Sequence, residues 1–171
     1  MKNKELVNKV RNWARERGLD KSDPRAQYMK IVEELRELVV SGMLEEQGEV
    51  IDAVGDMQVT LIVYCLIRGI EYPDTDYEYN FGDDAKDFDE NKLKDTLLDL
   101  TAGVGLISEG YNKQKDNKEQ LGLRRALFCL DVVSELFGVR KKFCLEEAYE
   151  VIAKRKGKMV NGVFVKNEDL K

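Results

Sequence analysis

Ala53-Val-Gly-Asp-Met-Gln-Val-Thr-Leu-Ile-Val-Tyr-Cys-Leu-Ile67 decides the fold. Wound at helical period, this stretch is apolar on nearly every side, the pattern of a helix buried at the centre of a domain. The surrounding residues extend the expected helix to about Glu46–Arg68, with Gly69 closing it. The longest near-apolar run within it, Val59 to Ile67, falls well short of the roughly 20 residues that span a bilayer. A core helix is therefore expected, and no membrane partner.

The flanking sequence is also helical in period. Upstream, Tyr28, Ile31, Val32, Leu35, Leu38 and Val39 form one apolar stripe. Ser22 or Asp23 is positioned to cap that helix, Pro24 suits its first turn, and Gly42 is expected to end it. Leu6, Val10, Trp13 and Ala14 predict a shorter amphipathic helix stopped by Gly18. Downstream, apolar periodicity predicts helices over Leu93 to about Tyr111, Glu119 to Phe137 and Leu145 to Lys156. Residues 71–91, rich in Asp, Tyr and Gly, form one long irregular connection. The tail around Lys158–Val165 partly alternates, as a short strand or extended arm would. The expectation is one all-α domain over residues 1–171, a bundle of about five to six helices with a short extended C-terminal arm.

Composition narrows the chemistry. The 171 residues are 43% hydrophobic and 36% charged, with a net charge of −5. That balance argues against a nucleic-acid partner, which calls for a basic stripe. Cys65, Cys129 and Cys144 are odd in number and set among apolar residues, as in a reduced cytoplasmic protein without a disulfide framework. The N-terminus lacks the apolar stretch of a signal peptide. There is no histidine, which removes His-based triads, imidazole bases and most zinc sites. A metal site in this chain must be built from carboxylates, whose hard oxygens suit Mg²⁺, Mn²⁺ or Ca²⁺.

Two acidic helices separated by one short turn supply such carboxylates. Glu34 and Glu37 share one side of their helix, on a strip with Gln27 and Lys30 that borders the apolar stripe. On the next helix Glu49, Asp52 and Asp56 share a face. Asp56 falls inside the most apolar segment, where an ionised carboxylate costs several kcal/mol unless paired or metal-bound. The adjacent Gly55 costs about 1 kcal/mol of helix propensity and allows a neighbouring helix to approach closely. One reading is a buried ion pair of Asp56 with Lys30 or Arg36. The other is a helix pair, about residues 24–69, presenting four or more carboxylates to one or two Mg²⁺ ions, with triphosphate oxygens completing the shell.

Trp13-Ala-Arg-Glu-Arg-Gly18, Gln27-x-x-Lys30-x-x-Glu33-Glu34-x-x-Glu37-Leu38 and Asp52-Ala-Val-Gly-Asp56-Met-Gln-Val closely resemble the MazG-like nucleotide pyrophosphohydrolases, particularly the small versions common in bacteriophages. Ala148 to Lys166 is similar to their C-terminal signature. The resemblance implies an all-α NTP pyrophosphatase fold, dimeric or further assembled. It also implies Mg²⁺-dependent cleavage of a nucleoside triphosphate to monophosphate and pyrophosphate. Carried onto this chain, its metal ligands are Glu34, Glu37 and Asp56. The family's acidic residue three before that aspartate is here Ala53, and both Asp52 and Glu49 stand as substitutes.

Hydrolysis of a phosphoanhydride needs a base for the attacking water. Without histidine the base is a carboxylate, and Glu33 and Glu37 are the candidates. Lys154-Arg-Lys-Gly-Lys158 is a dense basic cluster that either complements a helix C-terminus or grips phosphate. The family likeness favours phosphate contacts by Arg155 and Lys158, with Lys30 as a further candidate and Asn161 as a hydrogen-bonding one. Trp13 and Tyr149 are candidates for stacking on a base, although aromatics of amphipathic helices more often belong to the core. Two alternatives run beside this reading: a dUTP- or dCTP-preferring relative, and a catalytically silent helical interaction module.

Overall fold

The computed structural model describes residues 3–73, 88–155, 157–160 and 163–166, and beyond Gly157 the backbone alone. Among the described residues the chain is an all-α bundle of six α-helices, with one short 3₁₀ turn (Leu19–Lys21), followed by a β-hairpin: α1 (Asn3–Glu16), α2 (Pro24–Met43), α3 (Gln47–Arg68), α4 (Glu90–Asn112), α5 (Asp116–Leu136) and α6 (Lys141–Lys154), then β1 (Gly157–Val160) and β2 (Val163–Lys166). The strands pair antiparallel, Gly157 opposite Lys166. The expected extended arm is this hairpin. Within the expected irregular connection over 71–91, residues 74–87 lie outside the described residues.

Helix α3 is the axle. Val50, Val54, Met57, Leu61, Ile62 and Cys65 are fully buried, and the helix closes on Gly69 in the left-handed conformation (φ 65°). Side chains from α1, α2, α4, α5 and α6 join its buried face in one contiguous core, and apolar burial of this kind is the main source of helical stability in a bundle. By length and composition α3 is apolar enough to cross a membrane, which the run Val59–Ile67 alone did not suggest. In the bundle 72% of its most apolar window is buried. The three cysteines are buried thiols, and burial pushes Cys65 and Cys144 up to about 12 and Cys129 to about 11.

Close approach of α6 to α3 depends on Gly55. A Cβ there would sit 2.3 Å from the Cys144 carbonyl oxygen and 2.8 Å from the Ala148 Cβ. Buried Gln58 adds a tie, donating from Nε2 to the Lys141 carbonyl at 2.9 Å. Helix α6 begins four residues earlier than expected from the sequence, because Lys141 is not a solvent residue. Its ammonium is buried against the Asp131 carboxylate at 2.5 Å and the Leu127 carbonyl at 3.3 Å.

Helix α2 starts as expected: the Asp23 carboxylate accepts from the Arg25 N–H at 2.8 Å, with Pro24 in the first turn. Its end differs. The helix runs through Gly42, which is buried against Leu93 and Leu97 of α4. The turn into α3 is made instead by Glu45, in the left-handed region at φ 55°.

Candidate acidic site between the second and third helices

Three residues connect α2 to α3, so the two helices return antiparallel along each other. Their register is pinned where Gln27 Nε2 donates to the Thr60 carbonyl at 3.0 Å. In that register the carboxylates of the two helices face one another in successive turns. Glu34 stands beside Asp56. One turn nearer the connection, a cleft of about 200 Å³ opens between the helices, lined by Glu37, Glu46, Glu49 and Asp52 with Arg36, Ser41 and Ala53.

The electrostatics of the first pair are unfavourable as they stand. Glu34 is half-buried, and its pKa is pushed up to about 7. Burial is the main cause, followed by the charges of Asp56 and Glu37; Lys30 opposes the shift and Glu33 adds to it. Crowding of like charge and removal from water both favour the protonated form. Asp56 is less enclosed than its sequence context suggested, with 20% of its side chain exposed.

The charged neighbours differ from the expected ones. Neither Lys30 nor Arg36 pairs with Asp56: Lys30 reaches Glu33 at 2.5 Å and Arg36 reaches Glu37 at 3.3 Å. Both pairs are exposed, the class worth least to stability. A cation beside Asp56 comes from the end of α6, where Arg155 Nη2 lies 3.8 Å from Asp56 Oδ2. The sequence named Arg155 a phosphate contact. The structure places it over the aspartate of the candidate metal set.

Trp13 does not line the cleft. Its indole N–H donates to the Ile152 carbonyl at 2.9 Å, and the Arg17 guanidinium stacks on its ring, 4.9 Å from the centroid. The indole of this amphipathic helix ties α1 to α6. Lys158 lies on β1 with its side chain outside the described part, and Asn161 lies outside the described residues. Of the two substitutes for the missing acid at Ala53, the structure keeps both, since Glu49 and Asp52 line the same cleft.

The site divides into two parts, Glu34 with Asp56 and Glu37 with Glu49 and Asp52. Among the described residues no three Asp, Glu or Cys side chains are gathered into a ready ligand set. In type the donors nevertheless suit a hard divalent cation. They are carboxylate oxygens on two facing helices, and one of them is driven toward protonation by burial first and by its acidic neighbours second. Two residues escaped the sequence reading. Glu46, expected as the first residue of the helix, precedes α3 in the turn and lines the cleft; its i, i+3 spacing to Glu49 is the signal that could have placed it. Arg17 donates to the Arg155 carbonyl at 3.0 Å, a contact across 138 residues that no local pattern encodes.

No family model matches the chain, and neither does any curated protein or solved structure. The MazG-like resemblance therefore rests on the quoted residues alone.

Proposed function

We propose that the chain is a Mg²⁺-dependent nucleoside triphosphate pyrophosphohydrolase of the all-α NTP pyrophosphatase type, working between α2 and α3. One observation carries the reading. Glu34 is half-buried beside Asp56 and Glu37 and driven toward protonation, by burial first and by those two charges second, an arrangement that costs stability and that a cation would relieve. The sequence blocks that resemble the MazG-like proteins point to the same residues.

In this reading Glu34 and Glu37 from α2, and Asp56 with Asp52 or Glu49 from α3, hold the ion. When bound, Mg²⁺ supplies charge neutralisation on the phosphates and a more acidic water. Glu33 or Glu37 accepts the proton of the attacking water. Lys30, Arg155 and Lys158 contact the phosphates. The reaction consumes one water and yields nucleoside monophosphate and pyrophosphate. A homodimer or larger homo-oligomer fits the exposed Met29, Val40, Met43, Leu44 and Leu98, side chains that a second copy would cover.

Two observations favour the silent helical module instead: the cation already beside Asp56 and the absence of a ready ligand set among the described residues. Pyrophosphate release from a panel of NTPs and dNTPs, with and without Mg²⁺, separates the two. The enzyme releases pyrophosphate from at least one nucleotide only when Mg²⁺ is present, and the panel also reads any preference for dUTP or dCTP. No release from folded protein across the panel would leave the silent module standing.

A further inference from the structure

Arg155 is held in an unusual way. Its backbone lies just past the end of α6 in an extended conformation (φ −65°, ψ 127°). There its carbonyl accepts from Arg17 Nη2 at 3.0 Å. Three residues earlier the Ile152 carbonyl accepts from the Trp13 indole at 2.9 Å, and Arg17 itself is stacked on Trp13. Helix α1 thus fixes the backbone from which the Arg155 side chain departs. The side chain is one-third exposed and ends 3.8 Å from the Asp56 carboxylate. That distance is outside hydrogen-bonding range, so the contact is charge attraction without a directed bond. An anchored root with a loosely held head is the geometry of a counter-ion that can be exchanged.

We propose that Arg155 is a stand-in cation for Asp56, holding the aspartate in the metal-free chain and yielding it when a divalent ion enters between α2 and α3. The proposal rests on the metal-site reading above and deepens it: the arm that yields is left close to the bound ion, where the charge of a phosphate would sit. Metal occupancy thereby converts an internal ion pair into a ligand-facing guanidinium, a group suited to phosphate oxygens. Arg155 is then a positioning residue in the metal-free protein and a binding residue in the loaded one.

Removing a competing unit charge a few ångströms from a divalent ion strengthens metal binding, on the order of tenfold at the effective dielectric of a protein surface. The test is calorimetric titration of Mn²⁺ into the metal-free full chain, with circular dichroism confirming the fold of each variant. Arg155→Met is expected to bind Mn²⁺ about tenfold more tightly than the unmodified protein, and Arg155→Lys, which keeps the charge, to stay close to it. Arg155→Gln repeats the neutral arm should the methionine variant fold poorly. Arg125→Met, which removes a cation from the remote Arg125–Asp99 pair, is expected to change nothing. In an Asp56→Asn background the gain from Arg155→Met should vanish. Equal or weaker Mn²⁺ binding by Arg155→Met overturns the proposal while the metal site stands. So does an equal gain in Arg125→Met, or a gain that persists without Asp56. Absence of saturable Mn²⁺ binding in every protein overturns the proposal and the metal-site reading together.

Discussion

At the C-terminal end of α3, Arg68 grips Glu119 of α5, a carboxylate with no exposed surface, while several turns earlier on the same helix Asp52 and Asp56 face other carboxylates across α2. Every oxygen of the Glu119 carboxylate has a donor. Oε1 accepts from Tyr64 Oη at 2.5 Å and Arg68 Nε at 3.1 Å, and Oε2 accepts from Arg68 Nη2 at 2.9 Å. The Tyr64 phenol is held above its usual range by burial first and by this hydrogen bond second. Arg68 also lies over the Tyr111 ring, 5.0 Å from the centroid. A buried charge that is fully paired is an ordinary structural device. The acids of α2 and α3 are held differently: a guanidinium lies 3.8 Å from Asp56, and Glu34 is pushed toward neutrality, by burial first and by neighbouring carboxylates second. One helix therefore carries both arrangements, and under the proposed function the second is the end that takes a ligand.

Glu119→Gln leaves the Arg68 guanidinium without its buried counter-charge. Thermal or urea unfolding should show a loss of about 3 kcal/mol, the low end for orphaning a buried partner because Arg68 keeps some contact with water. A loss below about 1 kcal/mol would mean that solvent replaces Glu119. Gly55→Ala comes next: its methyl would overlap the Cys144 carbonyl, so α3 and α6 must part. About 2 kcal/mol of destabilisation is expected by urea unfolding.

At the open end, the effect is smaller and depends on pH. Glu34 holds its proton more tightly folded than unfolded, so its contribution favours folding below the ordinary glutamate pKa and is lost as pH rises through about 7. Discounted for partial exposure, that loss is about 1 kcal/mol between pH 4.5 and 8. Stability measured against pH should show it, Glu34→Gln should remove it, and saturating Mg²⁺ should suppress it. The smallest change expected is a gain. Ala53→Asp adds an acid to the cleft wall beside Glu37 and should tighten Mn²⁺ binding a few-fold by calorimetry, on the scale of one added ligand charge.

Much of this molecule is legible in one dimension because its cause is local or periodic. The buried α3, the Asp23 cap and the facing rows of α2 and α3 follow from helical spacing and from the short turn between them. Gly55 announced a close neighbour, although only three dimensions identify that neighbour as α6. What stayed hidden came from distant residues. Lys141 reads as solvent-facing until Asp131, ten residues back, neutralises it in the core. Glu119 reads as an ordinary helical acid until Arg68 and Tyr64 close over it. The Arg155–Asp56 contact joins residues 99 apart, so the reading assigned Arg155 to a ligand and Asp56 to a metal without seeing that they meet.

The central claim is that the α2–α3 carboxylates await a divalent cation. Thermal unfolding at pH 8 tests it most directly, comparing Mg²⁺ with K⁺ at matched ionic strength so that screening is common to both arms. The account expects Mg²⁺ alone to raise the Tm, with the increment lost in Asp56→Asn. Identical Tm values in the two salts, or an increment that survives Asp56→Asn unchanged, would contradict it.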